Sequence, residues 1–401
     1  MQGWLVFKVG FLQSFRQTSP AEIERQADRI SDPVERLRFL RKNSGATVQD
    51  ALPRAPLSLP VRAGLASVAL VCAAGFAYWL APSAKAPEAV KAPAAPVARP
   101  APNQIWQVDH TAIEEVYSNG LRIDLSFATK LRPRAEYPIF ALTGDSSQPI
   151  ATDRVPRGIV YHTTESDMVV FEEAEGKRID RLGHMLLRYI RREHSYHYLI
   201  DRFGRVYRVV EESDAANHAG FSVWGDDRGV YVNLNDSFIG VAFEGTSTET
   251  ATISGAQLSA ARMLTELLVS RYNIRPEDCV THAQVSVNPN NMVLANHKDW
   301  ARGFPFASMN LPDNYKLPVW AVEAFGFTHD EDLLGASGGK DWPGLVSADR
   351  KLLQTATSQG ATEIRYRGML RHRYQEILAE VRRGTQEAKE KAQDKSAEKS
   401  N

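Results

Sequence analysis

The sequence of 401 residues contains only two cysteines, Cys72 and Cys279. Two cysteines cannot form the disulfide framework of a small secreted domain, and they cannot build a thiolate zinc knuckle. A metal ion bound by this chain must therefore take its ligands mainly from histidine and carboxylate side chains.

The sequence also lacks an excess of charge of either sign, because 48 lysines and arginines balance 48 aspartates and glutamates. A protein that binds nucleic acid usually carries a basic surplus on one domain. The balance therefore argues against nucleic acid as a partner. The content of 43% hydrophobic and 24% charged residues is that of a globular protein and excludes a largely disordered chain.

One segment near the N-terminus is long, apolar and uncharged: 22 residues without a charge lie between Arg62 and Lys85. As a helix they would extend about 33 Å, which is enough to cross a hydrocarbon core of about 30 Å. Tyr78 and Trp79 lie near the far end, where aromatic rings favour the membrane interface. We therefore predict a transmembrane helix over residues 61–82. A buried core helix is the alternative, but an Ala/Pro-rich stretch follows at once.

The distribution of basic residues predicts the orientation of this helix. More of them precede the apolar run (Arg36, Arg38, Arg41, Lys42, Arg54 and Arg62) than follow it closely (Lys85, Lys91 and Arg99). The positive-inside rule then keeps residues 1–60 in the cytoplasm and places the rest of the chain outside. Because about 60 residues precede the apolar run, it is a signal anchor rather than a cleaved signal peptide.

Composition divides the rest of the chain. Residues 83–103 are rich in alanine and proline and form an extended, semi-rigid linker. We assign residues 104–154 to an N-terminal extension, 155–330 to the main domain and 331–383 to a C-terminal helical extension. Residues 384–401 are almost entirely Lys, Glu, Gln, Ala and Ser, which is typical of a charged disordered tail or of a fraying helix.

Hydrophobic patterning in the main domain predicts an α/β fold. Helices are expected from Arg178 to Arg192 and after a capping box at Ser254 and Gln257. Apolar strands are expected over residues 158–161, 196–201, 205–210, 238–244 and 279–281. Outside this domain, a strand-like run covers residues 121–127, and two further helices are expected over residues 347–356 and 362–383.

Two of these strands end at a histidine, the first at His162 and the last at His282. Residues at strand ends of an open α/β sheet lie on a common rim, where ligands bind. Neither histidine belongs to a short metal motif such as His-x-x-x-His, and a single histidine is more often structural. The pair alone therefore does not establish a metal site.

Five short strings around these histidines carry a resemblance to a known family. The chain resembles the zinc N-acetylmuramoyl-L-alanine amidases that share the fold of the peptidoglycan recognition proteins and phage T7 lysozyme, over roughly residues 155–310. The strings, in order, are Val160-Tyr161-His162-Thr163-Thr164; Ser195-Tyr196-His197-Tyr198-Leu199-Ile200-Asp201 with Gly204; Ala216-Asn217-His218-Ala219-Gly220; Ile239-Gly240-Val241 with Glu244-Gly245; and Thr281-His282 followed by His297-Lys298-Asp299.

The resemblance implies a central mixed β-sheet flanked by helices and a zinc ion (Zn²⁺) held by His162, His282 and Asp299. Two imidazoles and one carboxylate leave a fourth position for water, which is the catalytic rather than the structural arrangement. The implied reaction hydrolyses the amide bond between N-acetylmuramic acid and the L-alanine of the stem peptide. Peptidoglycan or muropeptides are then the partners, and the extracytoplasmic side becomes the periplasm, with the anchor in the inner membrane.

Three further residues receive roles from the resemblance. Tyr196 corresponds to a tyrosine that lines the site and contributes to catalysis, and His297 lies where the family often has Lys or Thr. His218 belongs to a His-Ala-Gly turn that borders the substrate groove. The purely structural alternatives are a half-buried strand aromatic for Tyr196, a loop histidine for His297 and a turn-stabilising role for His218.

The sequence departs from the family at the position of a general base. Many bacterial members have a glutamate two residues after the glycine of this strand, where this chain has Ala242. Glu244 follows on the same face of the strand, because side chains repeat every two residues. These departures keep a second hypothesis open, a peptidoglycan-binding module without catalysis. A zinc endopeptidase that cuts within stem peptides is a third.

Overall fold

The computed structural model describes residues 104–398, apart from residues 145, 167 and 248–252, and it describes side chains as far as residue 386. The cytoplasmic segment, the transmembrane helix and the linker predicted within residues 1–103 lie outside the described residues. In the described part of the chain, no helix combines the length and the apolar character that a membrane crossing requires.

The described residues form short strands, most of them buried. They are β1 (Gln107–His110), β2 (Glu114–Tyr117), β3 (Arg122–Asp124), β4 (Tyr137–Phe140), β5 (Pro149–Asp153), β6 (Gly158–Thr163), β7 (Tyr198–Ile200), β8 (Val206–Arg208), β9 (Val223–Asp226), β10 (Gly229–Val232), β11 (Phe238–Phe243), β12 (Cys279–Thr281), β13 (Val287–Asn288) and β14 (Val293–Leu294).

The α-helices differ widely in length, and the last one is the longest. They are α1 (Gly176–Glu193), α2 (Gly255–Tyr272), α3 (His282–Val285), α4 (Trp320–Phe325), α5 (Glu331–Ala336), α6 (Pro343–Ser358) and α7 (Glu363–Glu398). The predicted capping box opens α2: the Ser254 hydroxyl accepts the Gln257 N–H, and the Gln257 side chain accepts the Ser254 N–H.

A mixed eight-stranded sheet forms the centre of the fold, in the order β1-β2-β3-β8-β7-β11-β6-β12. Strands β7, β11, β6 and β12 run parallel to one another, whereas β7 and β8 form the predicted antiparallel hairpin. The sheet with its flanking helices confirms the fold class that the sequence predicts. A second, four-stranded antiparallel sheet has the order β5-β4-β10-β9.

The N-terminal extension completes both sheets. Strand β3, which lies within the strand-like run at residues 121–127, pairs in parallel with β8, and β1 and β2 continue the central sheet beyond it. Strands β4 and β5 contribute half of the second sheet. The extension is therefore part of the same folded body as the main domain.

Alternate side chains of the central sheet point to opposite faces, and the two faces pack against different elements. On β6, Ile159 and Tyr161 point toward α2, where the Tyr161 hydroxyl lies 2.8 Å from Oγ1 of Thr265. Val160 points to the other face and packs against side chains of the second sheet. Because the period of a strand is two, His162 shares the face of Val160, so the histidine lies on the side opposite α2.

The C-terminal helices share a hydrophobic core with the second sheet. Phe325 of α4, Leu345 of α6 and Tyr374 of α7 pack in one cluster with Phe140 and Val230 of the sheet. These helices therefore cover the second sheet and do not form a separate extension. Both helices expected between residues 347 and 383 are present, and each is longer than predicted.

Helix α7 also continues through residues 384–398, so the disordered-tail prediction is wrong as far as residue 398. Lysine, glutamate, glutamine and alanine all have high helix propensity. A segment of this composition extends a helix that is already nucleated, although it has too few apolar residues to bury a core of its own. Of the two alternatives from the sequence, the helical one describes the chain to that point.

Candidate metal centre and adjoining cleft

The carboxyl ends of β6 and β12 bring the two predicted histidines together. The strands are parallel neighbours, with Tyr161 opposite Thr281. One residue further on, His162 is still in β6, whereas His282 opens the short helix α3, whose capping box is formed by Thr281 and Gln284. The ring centroids of the two histidines lie 4.4 Å apart.

Asp299 completes a group of three buried side chains with these histidines. Its Oδ1 lies 2.9 Å from Nδ1 of His282, and its Oδ2 lies 3.3 Å from Nδ1 of His162. The main-chain carbonyl of Asp299 accepts the Ala283 N–H, which ties the loop to α3. One ligand atom from each of the three side chains lies within 4.8 Å of the others. The convergence expected from sequence is therefore present.

The charge states of this group suit a divalent cation. Burial, helped by the nearby His282, lowers the pKa of His162 to about 4, so its imidazole is neutral at neutral pH. Burial acts to raise the pKa of Asp299, but His282 and the closeness of both imidazoles hold it well below its usual range. Neutral imidazole and ionised carboxylate are the forms that bind metal, and this donor set fits zinc.

The imidazole of His218 orients the ring of His162. The His162 Nε2 lies 3.2 Å from His218 Nδ1, and the His218 Nε2 lies 3.3 Å from the Phe238 carbonyl. Since a carbonyl only accepts, the neutral His218 carries its proton on Nε2, and its Nδ1 accepts the proton of His162 Nε2. We call His162, His282 and Asp299 the metal group. The His162 Nδ1 is then left with its lone pair directed at the centre of this group, as metal-binding histidines require.

The position of His218 depends on two neighbours. The Asn235 Oδ1 accepts the main-chain N–H groups of His218 and Ala219, at 3.0 and 2.7 Å. On the opposite side, a Cβ added to Gly240 would lie 2.6 Å from Cγ of His218. A glycine at this point of β11 therefore makes room for the imidazole. Burial and the neighbouring His162 lower the pKa of His218 well below its ordinary value.

Tyr196 and His297 border the same group. The Tyr196 ring lies 5.1 Å from the His162 ring, and the His297 ring stacks on His282 at 4.6 Å with an interplanar angle of 13°. The Ser286 hydroxyl accepts the His297 N–H and donates to the His297 carbonyl, both at 3.0 Å. Both predicted catalytic side chains are thus held beside the metal group.

A cleft of about 470 Å³ opens beside these residues. Its walls combine the region around the metal group with the middle of α7, and most of its polar side chains are amides, hydroxyls and imidazoles. The lining residues are Ser195, Tyr196, Asn217, His218, Ala219, Gly220, Phe221, Asn233, Asn235, His282, Val287, Asn296, His297, Leu378, Val381 and Arg382. All three of the histidines His218, His282 and His297 therefore face a space where a ligand fits.

The side chains of the two residues at the departure from the family do not enter this cleft. Ala242 is opposite His162 in the register of β11 and β6 and packs against side chains of α1. Glu244 accepts the main-chain N–H of Arg202 at 3.1 Å, and burial raises the pKa of Glu244. It lines a separate small cavity together with Asp201. Neither Ala242 nor Glu244 lines the cleft.

Comparison with known proteins identifies a family match in the part of the chain that contains these residues. A family model described as N-acetylmuramoyl-L-alanine amidase matches this chain. The match covers residues 152–300. The resemblance carried by the five strings is thereby confirmed, and we refer to this part of the chain as the amidase-family region. It contains all six site residues expected from the sequence.

Individual relatives match a limited part of the chain. The curated N-acetylmuramoyl-L-alanine amidase AmiD of Escherichia coli (strain K12) is 34% identical over 89 residues, which are 20% of this chain and 31% of that protein. A structure of Escherichia coli AmiD with anhydro-N-acetylmuramic acid-L-Ala-D-gamma-Glu-L-Lys is 26% identical and covers 40% of this chain and 58% of that chain, with a TM-score of 0.30. The chain thus spans less than two thirds of either relative.

A third relative is AmpDh3 from Pseudomonas aeruginosa, solved in complex with an anhydromuramic pentapeptide. It is 22% identical and covers 46% of this chain and 72% of that chain, with a TM-score of 0.29.

Sequence reasoning missed several residues that build the cleft. Ser286 and Asn235 act through main-chain groups of other residues, and Phe221 follows the recognised His-Ala-Gly turn without a signal of its own. The residues from α7 lie outside the amidase-family region. Nothing in the local sequence of a helix indicates which cleft its side chains will border.

Proposed function

We propose that this protein is a zinc-dependent amidase that hydrolyses the bond between N-acetylmuramic acid and the L-alanine of the stem peptide, in peptidoglycan or in muropeptides. The observation that carries the proposal is the convergence of His162, His282 and Asp299 beside a cleft, within a region that matches this amidase family. The ligands bound to AmiD and AmpDh3 in their solved complexes support the choice of substrate.

His162, His282 and Asp299 are the residues that would hold the zinc ion. When bound, zinc supplies a Lewis acid that lowers the pKa of a water molecule and polarises a carbonyl group. The protein fixes the tautomer of His162 through His218 and keeps Asp299 ionised. These three side chains are almost completely shielded from solvent, which strengthens their electrostatic interactions.

Tyr196 and His297 are the side chains that we assign to proton and charge handling. The Tyr196 hydroxyl can donate a hydrogen bond to the oxyanion that develops on the scissile carbonyl, an interaction that typically lowers a barrier by about 3 kcal/mol. The imidazole of His297 can act as the general acid that protonates the leaving amine of L-alanine. Both residues line the cleft from the side of the metal group.

One observation favours a second function, a non-catalytic peptidoglycan-binding module. The strand position where many bacterial relatives have a glutamate is occupied by Ala242, which is buried among apolar side chains. Glu244 points into another cavity and does not substitute for it. The intact set of three metal-binding side chains favours the enzyme.

A combined metal and product measurement separates these functions. The full-length chain is purified in detergent, its zinc content is measured by atomic spectroscopy, and muropeptide products are identified by mass spectrometry. The proposal predicts one zinc per chain and release of intact stem peptides, and His162→Ala abolishes both. Muropeptide binding without any release would establish the binding module, and fragments cut within the peptide would establish an endopeptidase.

For location, we propose a single-pass protein of the inner membrane with the amidase-family region in the periplasm. The proposal is supported by the uncharged run between Arg62 and Lys85 and by the excess of basic residues before it. Protease added to intact spheroplasts should degrade the C-terminal helices and spare residues 1–60. Protection of the whole chain under these conditions would contradict the proposed orientation.

A further inference from the structure

Helix α7 forms a wall of the cleft although it lies far outside the amidase-family region. That region ends at residue 300, yet Leu378, Val381 and Arg382 line the same cleft as Tyr196 and His297. The C-terminal part of the chain therefore contributes directly to the space where a substrate would lie.

The packing of α7 fixes this wall in place. Tyr374 and Ile377 are completely buried, and with Leu378 and Val381 they belong to the core shared with the second sheet. One turn earlier, the Arg373 guanidinium donates to main-chain carbonyls that lie before β5. Because Leu378 and Val381 are core residues and also line the cleft, the helix holds Arg382 at a defined position on its rim.

Arg382 is the residue on this wall that can bind a charged ligand. Its guanidinium carbon lies 5.3 Å from the centre of the Phe221 ring, and both side chains line the cleft. Within the described part of the chain, Arg382 forms no ion pair, whereas the next residue, Arg383, is paired with Glu380. Among the cleft residues, Arg382 is the one that is fully charged at neutral pH.

We propose that Arg382 is a substrate-binding residue that recognises a carboxylate of the peptide moiety. A guanidinium forms two parallel hydrogen bonds with a carboxylate, which is the strongest pairing available to an exposed arginine. The Phe221 ring orients the guanidinium face and leaves its N–H edge for the ligand. The inference rests on the proposed function, because the stem peptide of that substrate supplies the free carboxylate.

The test compares two substrates and four proteins. The substrates are a muropeptide with free peptide carboxylates and the same muropeptide with these groups converted to amides. The proteins are the full-length wild type, Arg382→Gln, Arg382→Lys and, as the matched control, the neighbouring Arg383→Gln. We measure KM and kcat, and in parallel we measure binding of both muropeptides by calorimetry.

The expected result is a rise in KM of about tenfold for Arg382→Gln on the free-carboxylate substrate, with little change in kcat. Arg382→Lys should recover part of this loss, Arg383→Gln should equal the wild type, and the amidated substrate should not distinguish the four proteins. Equal effects of Arg382→Gln on both substrates, or no effect on either, would overturn the inference.

Calorimetry separates this inference from the proposed function. Arg382-dependent binding of the free-carboxylate muropeptide without hydrolysis would support the inference and contradict the amidase. Hydrolysis that does not change when Arg382 is substituted would support the amidase function and contradict the proposed role of Arg382. A wild type that neither binds nor cleaves either muropeptide would contradict both.

Discussion

At the scale of single residues, the orientation of His162 depends on the position of the His218 imidazole. His218 fixes the tautomer of His162, and the space for His218 exists because residue 240 has no side chain. The metal-binding residues were recognisable in sequence because they occur in strings with neighbours of fixed type. Gly240 was also part of a string, but its contact with His218 joins two strings 22 positions apart and appears only in the structure.

Substituting Gly240 tests this dependence. In Gly240→Ala the new methyl group would overlap His218, so the ring must move and His162 loses its hydrogen-bond partner. Loss of such an outer partner typically weakens metal binding about 10-fold to 100-fold. Zinc affinity is measured by competition with a fluorescent chelator.

The matched control for this substitution is Gly245→Ala, because a Cβ there would meet nothing within 4 Å. It should bind zinc with the affinity of the wild type. If Gly240→Ala also does so, the proposed support of His162 by His218 is wrong.

At the scale of elements, a buried charge cluster joins the N-terminal strands to the hairpin and to α2. The Arg208 guanidinium of β8 donates two hydrogen bonds of 2.8 Å to the Glu115 carboxylate of β2. Glu212 accepts from Arg208 and from Arg271 at the end of α2. The cluster thus couples β2 and β8 of the central sheet to α2.

Removing the arginine at the centre of this cluster should destabilise the protein. Arg208→Met leaves Glu115 buried without its partner, and breaking a buried pair in this way typically costs about 3–5 kcal/mol of unfolding free energy. The loss is measured by chemical denaturation at pH 7. Arg122→Met is the matched control, because its ion pair with Glu114 lies on the surface and contributes little.

The same pair predicts a pH dependence. Burial acts to raise the pKa of Glu115, but Arg208 lowers it below its usual range, so the folded state binds the proton less tightly than the unfolded state. The stabilisation is therefore complete above the ordinary glutamate pKa of about 4.3 and is lost as the pH falls further. The difference between wild type and Arg208→Met should shrink below pH 4. A constant difference down to pH 3 would contradict this assignment.

The strands and helices of the main domain were largely predictable from the sequence, whereas the pairing of distant strands was not. Apolar runs and the Ser254 capping box predict the buried strands and α2, because their side-chain periods differ. The second sheet was not predicted, because β4 and β10 are short and the paired residues Phe140 and Val230 lie 90 positions apart. The length of α7 was underestimated, since its last turns lack the apolar stripe by which a helix is recognised.

At the scale of the whole molecule, metal binding and folding should be linked. The three side chains of the metal group come from three separate places in the sequence, so the unfolded chain offers no preformed site. A ligand present at about 1,000 times its dissociation constant stabilises the folded state by about 4 kcal/mol.

Zinc removal should therefore lower the melting temperature by several degrees. Differential scanning calorimetry with and without a chelator measures this effect. The melting temperature of His162→Ala should not respond to zinc. An equal response of this variant and the wild type would mean that zinc binds elsewhere.

The contribution of α7 has a consequence for biosynthesis. Ile377 and Val381 leave the ribosome more than 75 residues after Asp299, and until then the core around Phe140 and Val230 is incomplete. A nascent chain that already contains every metal-binding side chain still lacks one wall of its cleft and much of the core of its second sheet. Full binding capacity thus arises only after α7 has been synthesised, so chains released before that point are exposed to proteolysis before they can act.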